Sequence, residues 1–120
     1  MSKKIKWNQI KELKWIGCDF DDVVCTNSGF PNYIPQKLIP GAVEALQKLD
    51  RMGYKIVIYT ARPWSDYENL ERLCQENKIP VRRIICGKPL FKWIIDDKNI
   101  EFNPSVPGES WDGVVAKISK

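Results

Sequence analysis

The chain has 120 residues, which is enough for one compact domain and too few for two domains of ordinary size. It is 43% hydrophobic and 28% charged, as folded globular proteins are, so we expect neither a disordered tail nor a fibrous chain. The formal net charge is +4, a mild basic excess that fits anionic partners and ordinary surface solvation equally well.

The cysteines and the lack of histidine limit the possible chemistry. The four cysteines show no Cys-x-x-Cys spacing, which argues against structural zinc, and without histidine a Ser-His-Asp triad is excluded. We interpret the cysteines as small, partly buried hydrophobic residues in a reducing compartment.

No apolar stretch approaches the roughly 20 residues that cross a bilayer, and no signal-peptide core follows the first residues. We therefore expect a soluble cytoplasmic protein without membrane contact.

The first half of the chain predicts one strand, one loop and one helix. Residues 1–13 carry apolar side chains at both strand and helix spacing, so their structure stays open. Residues 15–18 form a short apolar run that predicts a strand leading into Asp19. Residues 25–40 contain three prolines, one glycine and Asn32, and predict a loop or short hairpin. Residues 41–52 place apolar side chains along one helical face.

The second half continues this alternation of strands and helices. Residues 55–60 are the clearest strand, because they form a β-branched and aromatic run. A capping-box spacing at Ser65 predicts a helix that ends before Pro80. Two further strands and a last helix are predicted at residues 83–86, 93–95 and 111–118.

Strands that are apolar at successive positions are typical of a parallel sheet covered on both faces. We therefore predict a small α/β domain with a doubly wound, Rossmann-like parallel sheet flanked by helices, spanning residues 1–120 without a cap domain. The connection at residues 87–92 is a difficulty, because a parallel crossover usually needs about a dozen residues or more. Either residues 83–86 form a short edge strand with an extended return, or the strand boundaries differ.

Polar residues follow each predicted strand, at the edge of an open α/β sheet where ligands bind. Carboxylates without histidine suit a hard cation such as Mg²⁺, and a lysine and a hydroxyl beside such a cation suit a phosphoryl group. The four strand-end segments are Asp19-Phe20-Asp21-Asp22, Thr60-Ala61-Arg62, Gly87-Lys88-Pro89 and Asp96-Asp97.

In this order the segments resemble the motifs of the haloacid-dehalogenase-like phosphatases. The family's Asp-x-Asp-x-[Thr/Val] motif is similar to the run from Asp19 to Val23, in which Asp22 stands where many members have glycine. The strand-ending Ser or Thr of the family is similar to Thr60. Its lysine and acidic pair are similar to Lys88 and Asp96-Asp97. The resemblance covers about residues 14–118 and is nearest to very small members without a cap.

The resemblance implies a Mg²⁺-dependent phosphatase that hydrolyses a phosphomonoester. Asp19 would be the nucleophile that forms an aspartyl-phosphate, and Asp21 would protonate the leaving oxygen and then activate water. The implied Mg²⁺ ligands are Asp19, the main-chain carbonyl of Asp21, and Asp96, with Asp97 acting through water or on Lys88. Thr60 and backbone amides near Asp22 and Val23 would bind phosphoryl oxygens, and Lys88 would balance charge on the nucleophile and on the transferring group. Ala61 and Arg62 are further candidate substrate-binding residues. Residues 25–40 would form a flap over this site.

Several interpretations stay open at this point. Arg62 fits a phosphate contact or a structural ion pair equally well. The lysines of residues 1–14 fit a phosphatase for 3′ or 5′ nucleic-acid ends, or simply a solvated terminus. A phosphoacceptor signalling domain or a catalytically silent binding relative are the alternatives that are not enzymes. The partner would be a phosphorylated small molecule or a nucleic-acid end, and five tryptophans leave room for a homo-oligomer.

Overall fold

The computed structural model describes residues 14–26 and 37–120. This part of the chain contains a three-stranded parallel sheet in the order β1-β2-β3. The carboxyl ends of the three strands therefore lie at one edge of the sheet. The strands predicted at residues 15–18, 55–60 and 83–86 are confirmed with small shifts of their bounds. The observed strands are β1 (Trp15–Cys18), β2 (Lys55–Tyr59) and β3 (Val81–Ile85).

Three α-helices accompany this sheet. Helix α1 connects β1 to β2, and helix α2 connects β2 to β3 after a short 3₁₀ turn at Trp64–Asp66. The last helix, α3, packs against α1. These elements confirm the predicted α/β class, a small Rossmann-like parallel sheet flanked by helices, and residues 14–26 and 37–120 contain no cap domain. The helix bounds are α1 (Ala42–Arg51), α2 (Tyr67–Glu76) and α3 (Trp111–Ile118).

The core lies between β2 and the helices. Ile56 and Ile58 alternate with less buried residues along β2, and both are fully buried. Leu46 and Leu49 of α1 and Leu70 of α2 belong to the same buried cluster. Burying one side chain of this size stabilises a fold by about 1.5–3 kcal/mol relative to leaving it in water. The packing of β2 in the core therefore fixes the position of its carboxyl end, where Thr60 follows the strand.

All four cysteines are free and buried in this core, which confirms their interpretation as small hydrophobic residues. Burial raises the pKa of Cys18 and of Cys74 to about 12. It raises the pKa of Cys25 to about 11. The thiols are therefore protonated at neutral pH, and their weak acidity argues against nucleophilic chemistry.

The strand predicted at residues 93–95 is wrong. These residues form no strand, and Trp93 and Ile95 are 79% and 101% exposed. The chain after β3 is held at the sheet edge, because the Gly87 amide donates to the Arg62 carbonyl (2.8 Å) and the Lys88 amide to the Thr60 carbonyl (2.9 Å). The few residues between Lys88 and Trp93 are too short for a helical crossover to a further parallel strand.

A glycine inside α3 has a packing reason. Glycine has a low helix propensity, so Gly113 makes α3 less stable than alanine would. A Cβ at this position, however, would collide with the main-chain carbonyl of Gly108. Gly108 itself has a φ of +83°, in the left-handed region that favours glycine. The turn before α3 and the helix therefore approach closely enough to require glycine at residue 113.

Part of the predicted flap can be described. The Thr26 amide donates to the Lys37 carbonyl (2.8 Å), and Cys25 and Leu38 form an antiparallel bridge. Residues 25–26 thus pair with residues 37–38. The remaining flap residues, 27–36, and the ambiguous residues 1–13 lie outside the described residues. No helix in the described ranges is long and apolar enough to cross a membrane.

Candidate functional site

Asp19 and Lys88 form an ion pair at the carboxyl edge of the sheet. The Lys88 Nζ lies 3.3 Å from Oδ2 of Asp19, whose other oxygen accepts a hydrogen bond from the Phe20 amide (2.8 Å). The Lys88 Nζ also lies 5.4 Å from the centroid of the Tyr59 ring. The Asp19 side chain is 44% exposed, so solvent reaches the pair. Within the pair, Oδ2 of Asp19 faces the Lys88 ammonium. Lys88 reaches Asp19 because its own amide is anchored on Thr60.

A second, more buried group of charges surrounds Arg62. Its Nε and Nη2 donate to the two oxygens of Asp21, at 2.9 and 2.7 Å. Its Nη1 donates to Asp66 at 2.7 Å, and the guanidinium carbon lies 5.2 Å from the centroid of the Phe20 ring. The hydrogen bonds with Asp21 and, after them, with Asp66 raise the pKa of Arg62 and outweigh its burial. The structure thus places Arg62 in ion pairs, the structural alternative to a phosphate contact.

Thr60 lies beneath this edge. It is 1% exposed, and its Oγ1 accepts a hydrogen bond from the Arg62 amide at 3.2 Å. Its carbonyl accepts a hydrogen bond from the Lys88 amide. Ala61, between Thr60 and Arg62, is exposed. Thr60 therefore fixes the main chain on which Arg62 and Lys88 are placed.

The turn after β1 uses the amides that were predicted to bind phosphoryl oxygens. The Asp22 amide donates to the Cys25 carbonyl (2.7 Å), and the Val23 amide donates to the Phe20 carbonyl (3.3 Å). Asp22 has a φ of +62°, in the left-handed region that glycine adopts most easily. Glycine at this position would adopt the same conformation with less strain.

A cavity of about 810 Å³ runs along β1 beside the ion pair. Asp19, Lys88 and Asp96 line it together, so the structure brings Asp96 to the same cavity as the first two. Trp111 is also in its wall and donates a hydrogen bond from Nε1 to the Val23 carbonyl (2.8 Å), which ties α3 to the turn after β1. The other aromatic residues in the wall are Trp15, Tyr54, Tyr59, Phe91 and Phe102.

Asp97 is not part of this arrangement. Its side chain is 83% exposed and lies 3.2 Å from the Lys98 Nζ. The hydrogen bond from Lys98 is the main cause that lowers the pKa of Asp97. Of the two roles expected for Asp97, the contact with Lys88 is wrong, since the ion pair is with Lys98; the role through water stays a prediction. The Asp96 side chain accepts a hydrogen bond from the Lys98 amide (2.8 Å).

The carboxylates that line the cavity can be compared with the ligands that Mg²⁺ requires. Among residues 14–26 and 37–120, no three carboxylate, histidine or cysteine side chains lie close enough together to hold a metal ion. Mg²⁺ is often bound through only one or two carboxylates, with water and substrate oxygens as the other ligands. Asp19 and Asp96 both line the cavity and supply that number, and the thiols are buried. The residues present therefore fit Mg²⁺ by the type of donor atom.

Sequence reasoning missed the role of Asp66. The capping-box spacing was placed at Ser65, whereas Asp66 is the N-cap residue of α2 and makes no side-chain cap hydrogen bond. It is 5% exposed and pairs with Arg62. The spacing of four residues between the two charges is a signal that could have indicated the ion pair.

Comparisons with known proteins support the fold alone. No protein-family model matches the chain, and no curated protein matches it. The chain is similar to the structure of a conserved protein from Bacteroides thetaiotaomicron, with a TM-score of 0.62, 19% identity, and coverage of 90% of this chain and 91% of that one. It is also similar to the crystal structure of a structural-genomics target from Vibrio cholerae, with a TM-score of 0.61, 22% identity, and coverage of 88% and 99%.

Proposed function

We propose that the protein is a Mg²⁺-dependent phosphatase that hydrolyses a phosphomonoester through an aspartyl-phosphate on Asp19. The observation that carries this proposal is the 3.3 Å ion pair between Asp19 and Lys88 at the carboxyl edge of the sheet. A second acid, Asp21, lies two residues beyond Asp19 and is the candidate for acid-base chemistry at the same phosphoryl group. With the order of the four motifs, this leads us to propose a haloacid-dehalogenase-like phosphatase.

In the first half of the reaction, a carboxylate oxygen of Asp19 attacks phosphorus, and the bond from phosphorus to the ester oxygen breaks. Asp21 gives a proton to the departing oxygen. Lys88 balances the negative charge of Asp19 and of the transferring phosphoryl group, because its ammonium already lies beside Asp19. The products of this half are the alcohol and the aspartyl-phosphate.

In the second half, the Asp21 carboxylate takes a proton from water as the water oxygen attacks phosphorus. The bond between phosphorus and the Asp19 oxygen breaks, and inorganic phosphate leaves. Asp19 and Asp96 would hold Mg²⁺, with the main-chain carbonyl of Asp21. When bound, this cation supplies charge neutralisation for the phosphoryl oxygens.

The substrate and the compartment belong to this proposal as well. A cavity of about 810 Å³ beside Asp19 leaves room for the alcohol part of a phosphorylated small molecule. Four free, buried thiols agree with a reducing compartment, so we propose a cytoplasmic protein.

Release of phosphate from a panel of substrates tests the proposal. The panel contains sugar phosphates, nucleotides, 4-nitrophenyl phosphate, and oligonucleotides phosphorylated at the 3′ or 5′ end, each with Mg²⁺ or with EDTA. We expect turnover with Mg²⁺ only, and a loss of at least about 10³-fold in Asp19→Asn. Asp22→Asn is the matched control, because Asp22 is an exposed carboxylate in the same turn. Single turnover in H₂¹⁸O should place ¹⁸O in phosphate and leave Asp19 unlabelled.

Other results would overturn the proposal. Full activity in Asp19→Asn, or activity that survives EDTA, excludes the proposed mechanism. Stable phosphorylation by a small phosphodonor, with no turnover of any ester, would support a phosphoacceptor domain. Turnover confined to oligonucleotide ends would support the nucleic-acid alternative.

A further inference from the structure

Arg62 contacts residues that follow all three strands. Its side chain binds Asp21, after β1, and its amide donates to the Thr60 hydroxyl oxygen, after β2. Its carbonyl accepts a hydrogen bond from the Gly87 amide, after β3 (2.8 Å). Arg62 as a whole is 4% exposed. The main chain therefore fixes the point from which the guanidinium extends.

The guanidinium is fixed at its other end as well. Its Nη1 donates to Asp66, which also accepts a hydrogen bond from the Asn69 side chain (3.3 Å). The Nε and Nη2 groups bind both oxygens of Asp21. Two parallel hydrogen bonds set the plane of a carboxylate as well as its distance, which a single contact does not. The orientation of Asp21 is thus determined by Arg62.

We infer that Arg62 is a positioning residue, which holds Asp21 as the base that activates water against the aspartyl-phosphate; this inference rests on the proposed function. The Asp21 side chain is 24% exposed, so water reaches it, whereas that of Arg62 is 3% exposed. In the step itself, Asp21 takes one proton from water, the water oxygen bonds to phosphorus, and the Asp19 oxygen leaves with its electron pair.

Kinetics with 4-nitrophenyl phosphate distinguish the positioning of Asp21 by Arg62 from a direct contact of Arg62 with the substrate. Nitrophenolate leaves without a proton, so phosphorylation of Asp19 by this ester does not need Asp21, whereas hydrolysis of the aspartyl-phosphate does. Arg62→Lys keeps the positive charge and loses the two-pronged contact. We expect kcat to fall about tenfold or more, with kcat/KM within about threefold, so that KM falls with kcat. Arg51→Lys, at the exposed arginine that ends α1, is the matched control and should change neither constant.

The slowed step also has a direct signature. In Arg62→Lys, nitrophenolate should appear in a burst of about one equivalent per active site, and phosphorylated Asp19 should accumulate at steady state. Asp66→Asn, which weakens the outer support of Arg62, should show the same changes to a smaller degree. Unfolding curves of each variant show what fraction is folded, and loss of folded protein alone lowers kcat without a burst.

The hydrogen bonds between Arg62 and Asp21 can be detected without turnover. The Arg62 Nε–H should be protected from solvent exchange in ¹H–¹⁵N spectra of the wild type and of Asp19→Asn, and lose protection in Asp21→Asn. An unprotected Nε–H in the wild type overturns the inference. So does an active wild type whose Arg62→Lys variant shows a raised KM and no burst, as expected if Arg62 gripped the phosphate. A protected Nε–H in a wild type that hydrolyses no ester overturns the proposed function, and the positioning role with it.

Discussion

Two apolar runs of this chain are each followed by a polar segment of the candidate site, but they lie in different surroundings. The run Ile56-Val57-Ile58 in β2 precedes Thr60, and Ile56 and Ile58 are fully buried. The run Trp93-Ile94-Ile95 precedes Asp96 and is exposed at all three residues. The first run belongs to the central strand, with β1 and β3 on either side. The second has no strand partner among the described residues.

The connections before the two runs explain the difference. Helix α1 and the turn at Gly53, with a φ of +95°, carry the chain back to the start of β2. Before Trp93, by contrast, the chain is still hydrogen-bonded at the carboxyl edge through the Lys88 amide. Apolar composition gives both runs the propensity for a strand, and the length of the preceding connection determines which one pairs.

The largest effect that tests this comparison is expected in the buried run. Ile58→Ala removes a fully buried side chain between the helices and the sheet, so we expect a loss of about 2–5 kcal/mol in the free energy of unfolding. Urea unfolding followed by circular dichroism measures the change. A loss below about 1 kcal/mol would contradict the placement of Ile58 in the core.

The ion pair at the edge of the sheet and the ion pair after the exposed run should also differ. Lys88→Ala removes the cation beside Asp19, so we expect kcat/KM to fall at least about 100-fold. Lys98→Ala removes the partner of the exposed Asp97 and should change kcat/KM less than about threefold. Steady-state kinetics with the best ester of the panel measures both. A comparable loss in the two variants would show that Asp97 and Lys98 belong to the site.

Several features of the site were predictable from local patterns and others were not. The strand periodicity and the motif at Asp19 led to β1 and β2, and the motif order led to Lys88 before any contact was known. The bond between Asp21 and Arg62 joins residues 41 positions apart, so no local pattern reports it. The exposure of residues 93–95 was missed because their composition is that of a strand, and only the geometry of the preceding connection opposes pairing.

A smaller effect on the free energy of unfolding is expected from the thiols, all four of which are buried. The pKa of Cys74 is about 12 in the folded protein against an ordinary value of 9.0. The unfolded chain therefore releases this proton as pH rises above about 9, while the folded protein keeps it. Stability is fully present below pH 9 and falls between about 9 and 12, by about 1 kcal/mol per pH unit for each such thiol.

The difference between wild type and Cys74→Ala isolates this contribution. Urea unfolding at pH 8, 9 and 10 with a reductant should give a shallower loss of stability in the variant, since one buried thiol is gone. Equal slopes in the two proteins would contradict the burial of Cys74.

The smallest effect is expected in the exposed run. Ile95 is 101% exposed, so Ile95→Ser should change the free energy of unfolding by no more than about 0.5 kcal/mol, in contrast to Ile58→Ala. Iodoacetamide should modify Ile95→Cys at the rate of a free peptide thiol, while Cys18, which is 6% exposed, reacts slowly in the same protein. A loss above about 1.5 kcal/mol in Ile95→Ser, with slow modification of the introduced thiol, would show that residues 93–95 pack in solution. Since β1 is an edge strand of the described sheet, its open side would be the place for them, and Asp96 would then follow a fourth strand.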